Sequence, residues 1–137
     1  MGSRRRAREI ALQILYRLDA NPCDPDLACE EMEGLSSMEP DARAFARDLV
    51  IGTMGSLEEI DRTISSASLK WDMKRMAAVD RNLLRLASFE LMFQRETPAR
   101  VVLNEAIEMA KSFGGEESGG FINGILDRVR YDMGRQD

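Results

Sequence analysis

Histidine is absent from the 137-residue chain, and its absence removes several chemistries together. No Ser-His or Cys-His nucleophile pair, no ordinary zinc site and no imidazole acid or base can be assembled. The only cysteines, Cys23 and Cys29, lie in an acidic segment. They read as reduced thiols rather than metal ligands. The uncharged apolar stretches are far too short to span a membrane, and no signal-peptide pattern is present, so a cytoplasmic protein is expected. Neither a P-loop nor a dinucleotide-binding glycine fingerprint follows a strand pattern, and the pairs Gly114-Gly115 and Gly119-Gly120 have the wrong spacing for either. These gaps argue against an enzyme and against a bound cofactor or metal.

What the chain does contain is 44% hydrophobic and 31% charged residues, a formal net charge of -5 and enough length for one domain, 1–137, with a real core. Against that negative balance stands Arg4-Arg5-Arg6-Ala7-Arg8-Glu9, four arginines in five positions. A positive cluster on a negative body suits an anion such as a phosphate backbone, although arginine runs at a chain start are often simply solvated. The register behind the cluster favours the first reading. Ala7, Ile10, Ala11, Ile14, Leu15 and Leu18 follow the spacing of one buried helix face, which ties the arginines to a packed helix.

Every periodic segment has the helical period, so the fold class is all-α, with about seven helices. The first covers roughly 4–20 and stops before Asn21-Pro22. Residues 24–41 carry seven acids and no Lys or Arg; a short second helix and a break at Gly34-Leu35-Ser36-Ser37 are expected there. A third helix starts near Pro40, with Ser36 and Glu39 as a capping box and Gly52 and Gly55 at its end. Ser56 and Glu59 form a second capping-box candidate for a fourth helix. The fifth, from roughly 73 to 95, is apolar over most of its circumference and is therefore expected to be central. Thr97-Pro98 predicts an N-cap and first turn for the sixth, which Gly114-Gly115 ends. The last runs from about Ser118 to Asp132.

Several constellations carry candidate roles. Leu12 and Tyr16 fall one turn apart, away from the core stripe, as a small exposed apolar spot beside Arg5, unless another helix covers them. Lys70, Lys74 and Arg75, followed by Arg81 and Arg85, form a second basic group around Trp71, diluted by Asp72 and Asp80. Glu90 interrupts the apolar stripe of the fifth helix, and the better reading is a buried acid with a partner such as an arginine. Glu105 and Glu108 lack the histidine companions of a carboxylate metal site. Ser118 is a plausible N-cap; free N–H groups there attract phosphate, but Glu116 and Glu117 repel it.

Arg4-Arg5-Arg6-Ala7-Arg8-Glu9 through Gln13-x-Leu15-Tyr16 resembles the opening of the NusB family of transcription antitermination factors. So do Val79-Asp80-Arg81-x-x-Leu84-Arg85-Leu86-Ala87 with Glu90-Leu91, Asn104-Glu105-Ala106-Ile107-Glu108-x-Ala110-Lys111-Ser112-Phe113-Gly114, and Ser118-x-x-Phe121-Ile122-Asn123-Gly124-Ile125-Leu126-Asp127. The resemblance implies two small helical bundles packed at a steep angle. It also implies binding of boxA single-stranded RNA together with the ribosomal protein NusE, within an RNA polymerase antitermination complex acting notably in ribosomal RNA operons. RNA contacts would come from Arg4, Arg5, Arg6 and Arg8, and from a loop holding Phe113, Glu117 and Ser118. Lys70, Lys74 and Arg75 extend that surface by charge alone. Tyr16 and Asp80 would face NusE, with Leu12 beside them. Gly119-Gly120 departs from the family, whose members often carry His or a basic residue there. Rival readings are a homo-oligomer associating through the Leu12/Tyr16 spot, and a detached module like the N-terminal domain of some ribosomal RNA methyltransferases. The net acidity predicts weak, strongly salt-dependent RNA binding by the protein alone.

Overall fold

The computed structural model describes residues 2–137. Among them are eight α-helices, a single 3₁₀ turn and no strand: α1 (Ser3–Ala20), α2 (Pro25–Glu31), α3 (Glu33–Ser36), α4 (Pro40–Gly55), α5 (Leu57–Ala67), the 3₁₀ turn Met73–Arg75, α6 (Ala78–Phe93), α7 (Ala99–Phe113) and α8 (Ser118–Asp132). The all-α expectation holds, with one helix more than the seven read from periodicity. The addition is α3, a single turn laid across the segment Gly34-Leu35-Ser36, where a break was expected. The fifth predicted helix also begins later. Met76 is extended, so the turn at Met73–Arg75 is separated from α6.

Two groups of helices share one hydrophobic core. In the first, α1 packs most extensively on α4, with α2 and α3 beside them; in the second, α6, α7 and α8 pack on one another with α5. Helix α6 belongs to both, because it also packs on α1 and α4. Its chain from Asn82 to Leu91 is buried except for half-buried Arg85, as its nearly all-round apolar pattern requires. Gly52 lies inside α4 rather than at its end. A Cβ there would come within 2.2 Å of the Phe89 ring, so this residue is glycine because α4 and α6 approach too closely for any side chain.

Neither expected capping box forms. Glu39 and Ser56 occupy the N-cap positions of α4 and α5 without a side-chain cap hydrogen bond. Pro98, not Thr97, is the N-cap of α7. Asp24 does cap α2, accepting from the Asp26 backbone N–H at 3.2 Å. The last turn of α6 is completed from far away in sequence. Buried Arg135 donates through Nη1 to the carbonyl oxygens of Leu91 (3.1 Å) and Glu90 (3.4 Å), and through Nη2 to that of Thr97 (2.6 Å). The Leu91 carbonyl is one that a helix end leaves open, whereas that of Glu90 also accepts from the Gln94 N–H at 3.0 Å.

The two groups are also joined by charge. Arg8 of α1 is only 4% exposed, and its Nε and Nη2 each donate at 2.8 Å to the two carboxylate oxygens of Glu90 on α6. The acid in the apolar stripe thus has the arginine partner expected of it. Arg8, however, is withdrawn from the surface on which it was expected to meet RNA. Removing one member of such a buried pair strands the other. Glu90→Leu is expected to cost about 3–5 kcal/mol in urea denaturation, and Arg8→Met/Glu90→Leu to recover most of that loss. A single substitution as mild as the double would show that the pair is not buried as described.

Candidate nucleic-acid interface

The arginines of α1 divide by depth. Arg4 lays its guanidinium over the Phe45 ring of α4, 4.0 Å from its centroid, and Arg8 lies 5.2 Å from the same ring. Arg5 is partly buried and bidentate with Glu105 of α7, Nη2 to Oε2 at 2.8 Å and Nε to Oε1. That contact raises the Arg5 pKa. The same hydrogen bond, opposed by burial and aided by the charge of Arg5, lowers that of Glu105. Arg6 is exposed and reaches only Glu9, at 3.6 Å. Arg4 and Arg6 therefore present charge outward, Arg5 offers a neutralised edge, and Arg8 sits inside.

No acid occupies the first turn of α1, so three arginines stand at the positive end of a helix dipole. Cations there are disfavoured by roughly 0.3–1 kcal/mol each. Such an arrangement serves the capture of an anion better than it serves the helix.

Basic residues around Trp71 separate in the same way. Lys70, Lys74 and Arg75 are exposed. Arg81 and Arg85 turn inward instead. Arg81 donates to Asp19 of α1 at 2.6 and 3.0 Å and to the carbonyls of Met73 and Met76. Arg85 forks onto Asp61 of α5 at 2.8 and 2.9 Å and reaches Asp19 at 3.5 Å. Burial alone would raise the Asp19 pKa, but hydrogen bonds from Arg81 and Asn82 and the charges of Arg81 and Arg85 outweigh it, and the pKa is lowered.

An open groove of about 1290 Å³ joins the 70–80 segment to the loop before α8. Lys70 and Arg75 line it together with Asp80, Glu117 and Ser118. Phe113 and Glu117 are exposed. Ser118 is buried, and its Oγ accepts from the Gly115 N–H at 3.0 Å, which closes the loop. It is thus the first residue of α8 and not its N-cap; Glu117 holds that position. Asp80 is half-buried, and its Oδ1 is enclosed without a hydrogen-bond partner. Tyr16 is 47% exposed, but Leu12 is buried. The apolar spot expected of that pair is reduced to the tyrosine ring, because α1 packs on both α4 and α6 and so buries a wider arc than a single stripe. Cys23 and Cys29 are free thiols, the second buried. Sequence reasoning missed Phe45 and Glu105 as supports of the arginines. Only the fold reveals them, since they lie 41 and 100 residues from Arg4 and Arg5.

Fold and surface define an all-helical protein whose exposed cations and aromatic rings lie on its outside, with its buried charges paired. The description NusB family fits residues 5–130. The chain is similar to the transcription antitermination protein NusB of Pelotomaculum thermopropionicum, 49% identical over 128 residues, 93% of this chain and 88% of that protein. It is 42% identical to the transcription antitermination protein NusB of Sorangium cellulosum over 137 residues, 100% of this chain and 98% of that one. Among solved structures it is similar to a chain of antitermination factors NusB and NusE in complex with dsRNA, with a TM-score of 0.88 and 30% identity, covering 96% of this chain and 98% of that one. The chain belongs to the NusB family.

The lowered Asp19 pKa fixes a sign. Folding favours the ionised carboxylate, so its contribution is complete above the unfolded value of 3.8 and is lost as pH falls through the folded value. Melting temperatures of wild type and Asp19→Asn are expected to differ most near about pH 7 and to draw together as the pH falls below 3.8. A gap that widens in acid would reverse the assignment.

Proposed function

We propose that the protein is a transcription antitermination factor that binds boxA-type single-stranded RNA together with NusE and promotes read-through by RNA polymerase, notably in ribosomal RNA operons. It works in the cytoplasm as a single binding domain, 1–137, and performs no catalytic step. The observation that carries the reading is the outward charge of Arg4 and Arg6 at a helix start whose dipole disfavours it, in a chain of the NusB family. Coverage of 98% of a NusB relative's own length supports this reading over a detached methyltransferase module.

Arg4 and Arg6 neutralise phosphates, while Phe113 and the loop carrying Glu117 and Ser118 meet unstacked bases. Lys70, Lys74 and Arg75 lengthen the basic track. Tyr16 presents the ring and hydroxyl that dock NusE, and Asp80 presents a carboxylate to it. Arg8 acts from within: its pair with Glu90 and its place against Phe45 fix the helix that carries the other arginines.

Fluorescence anisotropy of a labelled boxA RNA and a scrambled control, with and without NusE, tests this. Arg4→Glu/Arg6→Glu is expected to weaken boxA binding by at least about tenfold at low salt. It should also reduce the slope of log K against log salt by about 0.7 for each phosphate that is no longer neutralised. Glu105→Gln, which removes the carboxylate beside Arg5, is expected to tighten binding a few-fold. Equal affinity for boxA and scrambled RNA under every condition would exclude the proposal.

A further inference from the structure

A second, smaller groove of about 570 Å³ runs between the segment after α5 and the first turns of α8. Its walls are Leu69, Trp71, Phe121 and Ile125; its charged residues are Lys70 and Arg128, and among the described residues no carboxylate lines it. The first groove differs, since Asp72, Asp80, Glu116 and Glu117 all border it. On a chain of net charge -5, an acid-free apolar groove flanked by two cations complements an anion that carries an apolar ring.

Trp71 is the only tryptophan, and its side chain is held out rather than tucked in. Its backbone N–H donates to the Ser68 carbonyl at 2.8 Å. The ring stands perpendicular to Phe121, centroids 5.4 Å apart at 87°, yet Trp71 remains 57% exposed. On the opposite bank, a Cβ at Gly120 or Gly124 would meet nothing within 4 Å, so α8 leaves open space where most side chains would fill it. Arg128 pairs with Asp132 at 3.0 Å, but exposed pairs one helical turn apart are weak and readily shared with a phosphate.

We propose that this groove binds an unpaired nucleotide of RNA, with the base stacked on Trp71 and its phosphate between Lys70 and Arg128. It is a second RNA subsite, apart from the arginines of α1. Every base has a π-face and each brings a phosphate, so an indole beside two cations suits a single strand regardless of its exact sequence. A nucleotide brings a flat ring and an anion in one unit, which is what an indole flanked by Lys70 and Arg128 complements. The proposal rests on the RNA-binding reading above and extends the strand beyond the first groove.

A single tryptophan makes the test direct. Anisotropy of a labelled single-stranded boxA RNA reports binding anywhere on the protein, while Trp71 emission under unlabelled RNA reports stacking on the indole, which borders both grooves; Gly124, which lines only the second, tells the two apart. RNA extended by several unpaired nucleotides is expected to quench Trp71. Trp71→Ala should lose about tenfold in affinity for that RNA and little for a short one, and Trp71→Phe should retain most of the affinity. Gly124→Leu fills the groove without changing charge and raises helix propensity, so it should abolish quenching in a protein at least as stable as wild type. Anisotropy that rises while Trp71 emission and the affinities of Trp71→Ala and Gly124→Leu stay unchanged would overturn the subsite and leave the arginine surface standing. No anisotropy change with any RNA would overturn the RNA-binding reading and this subsite with it. Quenching by NusE alone and none by RNA would overturn the proposal in favour of a protein-docking groove.

Discussion

An ionised group inside a packed helical interior must meet its counter-charge there or the fold loses several kcal/mol, and most of this architecture is arranged around that demand. Arg8 and Glu90 satisfy each other through two 2.8 Å hydrogen bonds. Forming them requires α1 and α6 to sit at one rotation and one height. With that register set, the neighbouring arginines of α1 are delivered to Phe45 on one side and to Glu105 on the other. The same registration places Asp19 beside Arg81 and Asn82 further along the same helix pair. One buried pair thus orients both ends of α1.

Charge at the start of α1 is graded by burial, and the gradation separates the arginines that hold the fold from those at the surface. The deepest arginine is spent on the fold, and the next is countered by a carboxylate on α7. Those left facing outward, Arg4 over Phe45 and Arg6 toward Glu9, keep their charge at the surface at the cost of opposing the dipole of their own helix. A uniform cluster of exposed arginines would repel itself and fray. Alternating between packed and solvated positions lets four arginines occupy five residues without unravelling the helix that holds them.

Much of the fold was legible because helical periodicity and proline are local signals. The bounds of α8 and the start of α4 at Pro40 follow from them, and the partner of Glu90 follows from the cost of burying a lone carboxylate. The two arginines at 81 and 85 look like a solvated basic face in sequence. Their inward turn depends on Asp19 and Asp61, which only the packing brings near. Leu12 was misplaced for a similar reason: a stripe computed for one neighbour understates the buried arc of a helix with two. The glycine at 52 reads as a terminator until Phe89 is seen beside it. The capping boxes failed because Pro40 and the tight link at Ser56 already define their helix starts, leaving Ser36 and Glu59 at spacing without geometry. At the interface, the arginines were visible and their supports were not, since Phe45 and Glu105 carry no local mark of their role.

Arg135 places the finishing contact of α6 more than forty residues downstream of it. During synthesis α6 emerges from the ribosome more than forty residues ahead of that arginine, and until Arg135 follows, the Leu91 carbonyl has water as its partner, while that of Glu90 has the Gln94 N–H. The C-terminal end of the central helix thus gains its Arg135 contacts only after α7 and α8 have been made. The junction between the two groups therefore lacks this contact while α7 and α8 are being made. The stretch where the helices must find their mutual register consequently stays adjustable while α7 and α8 arrive to pack against it.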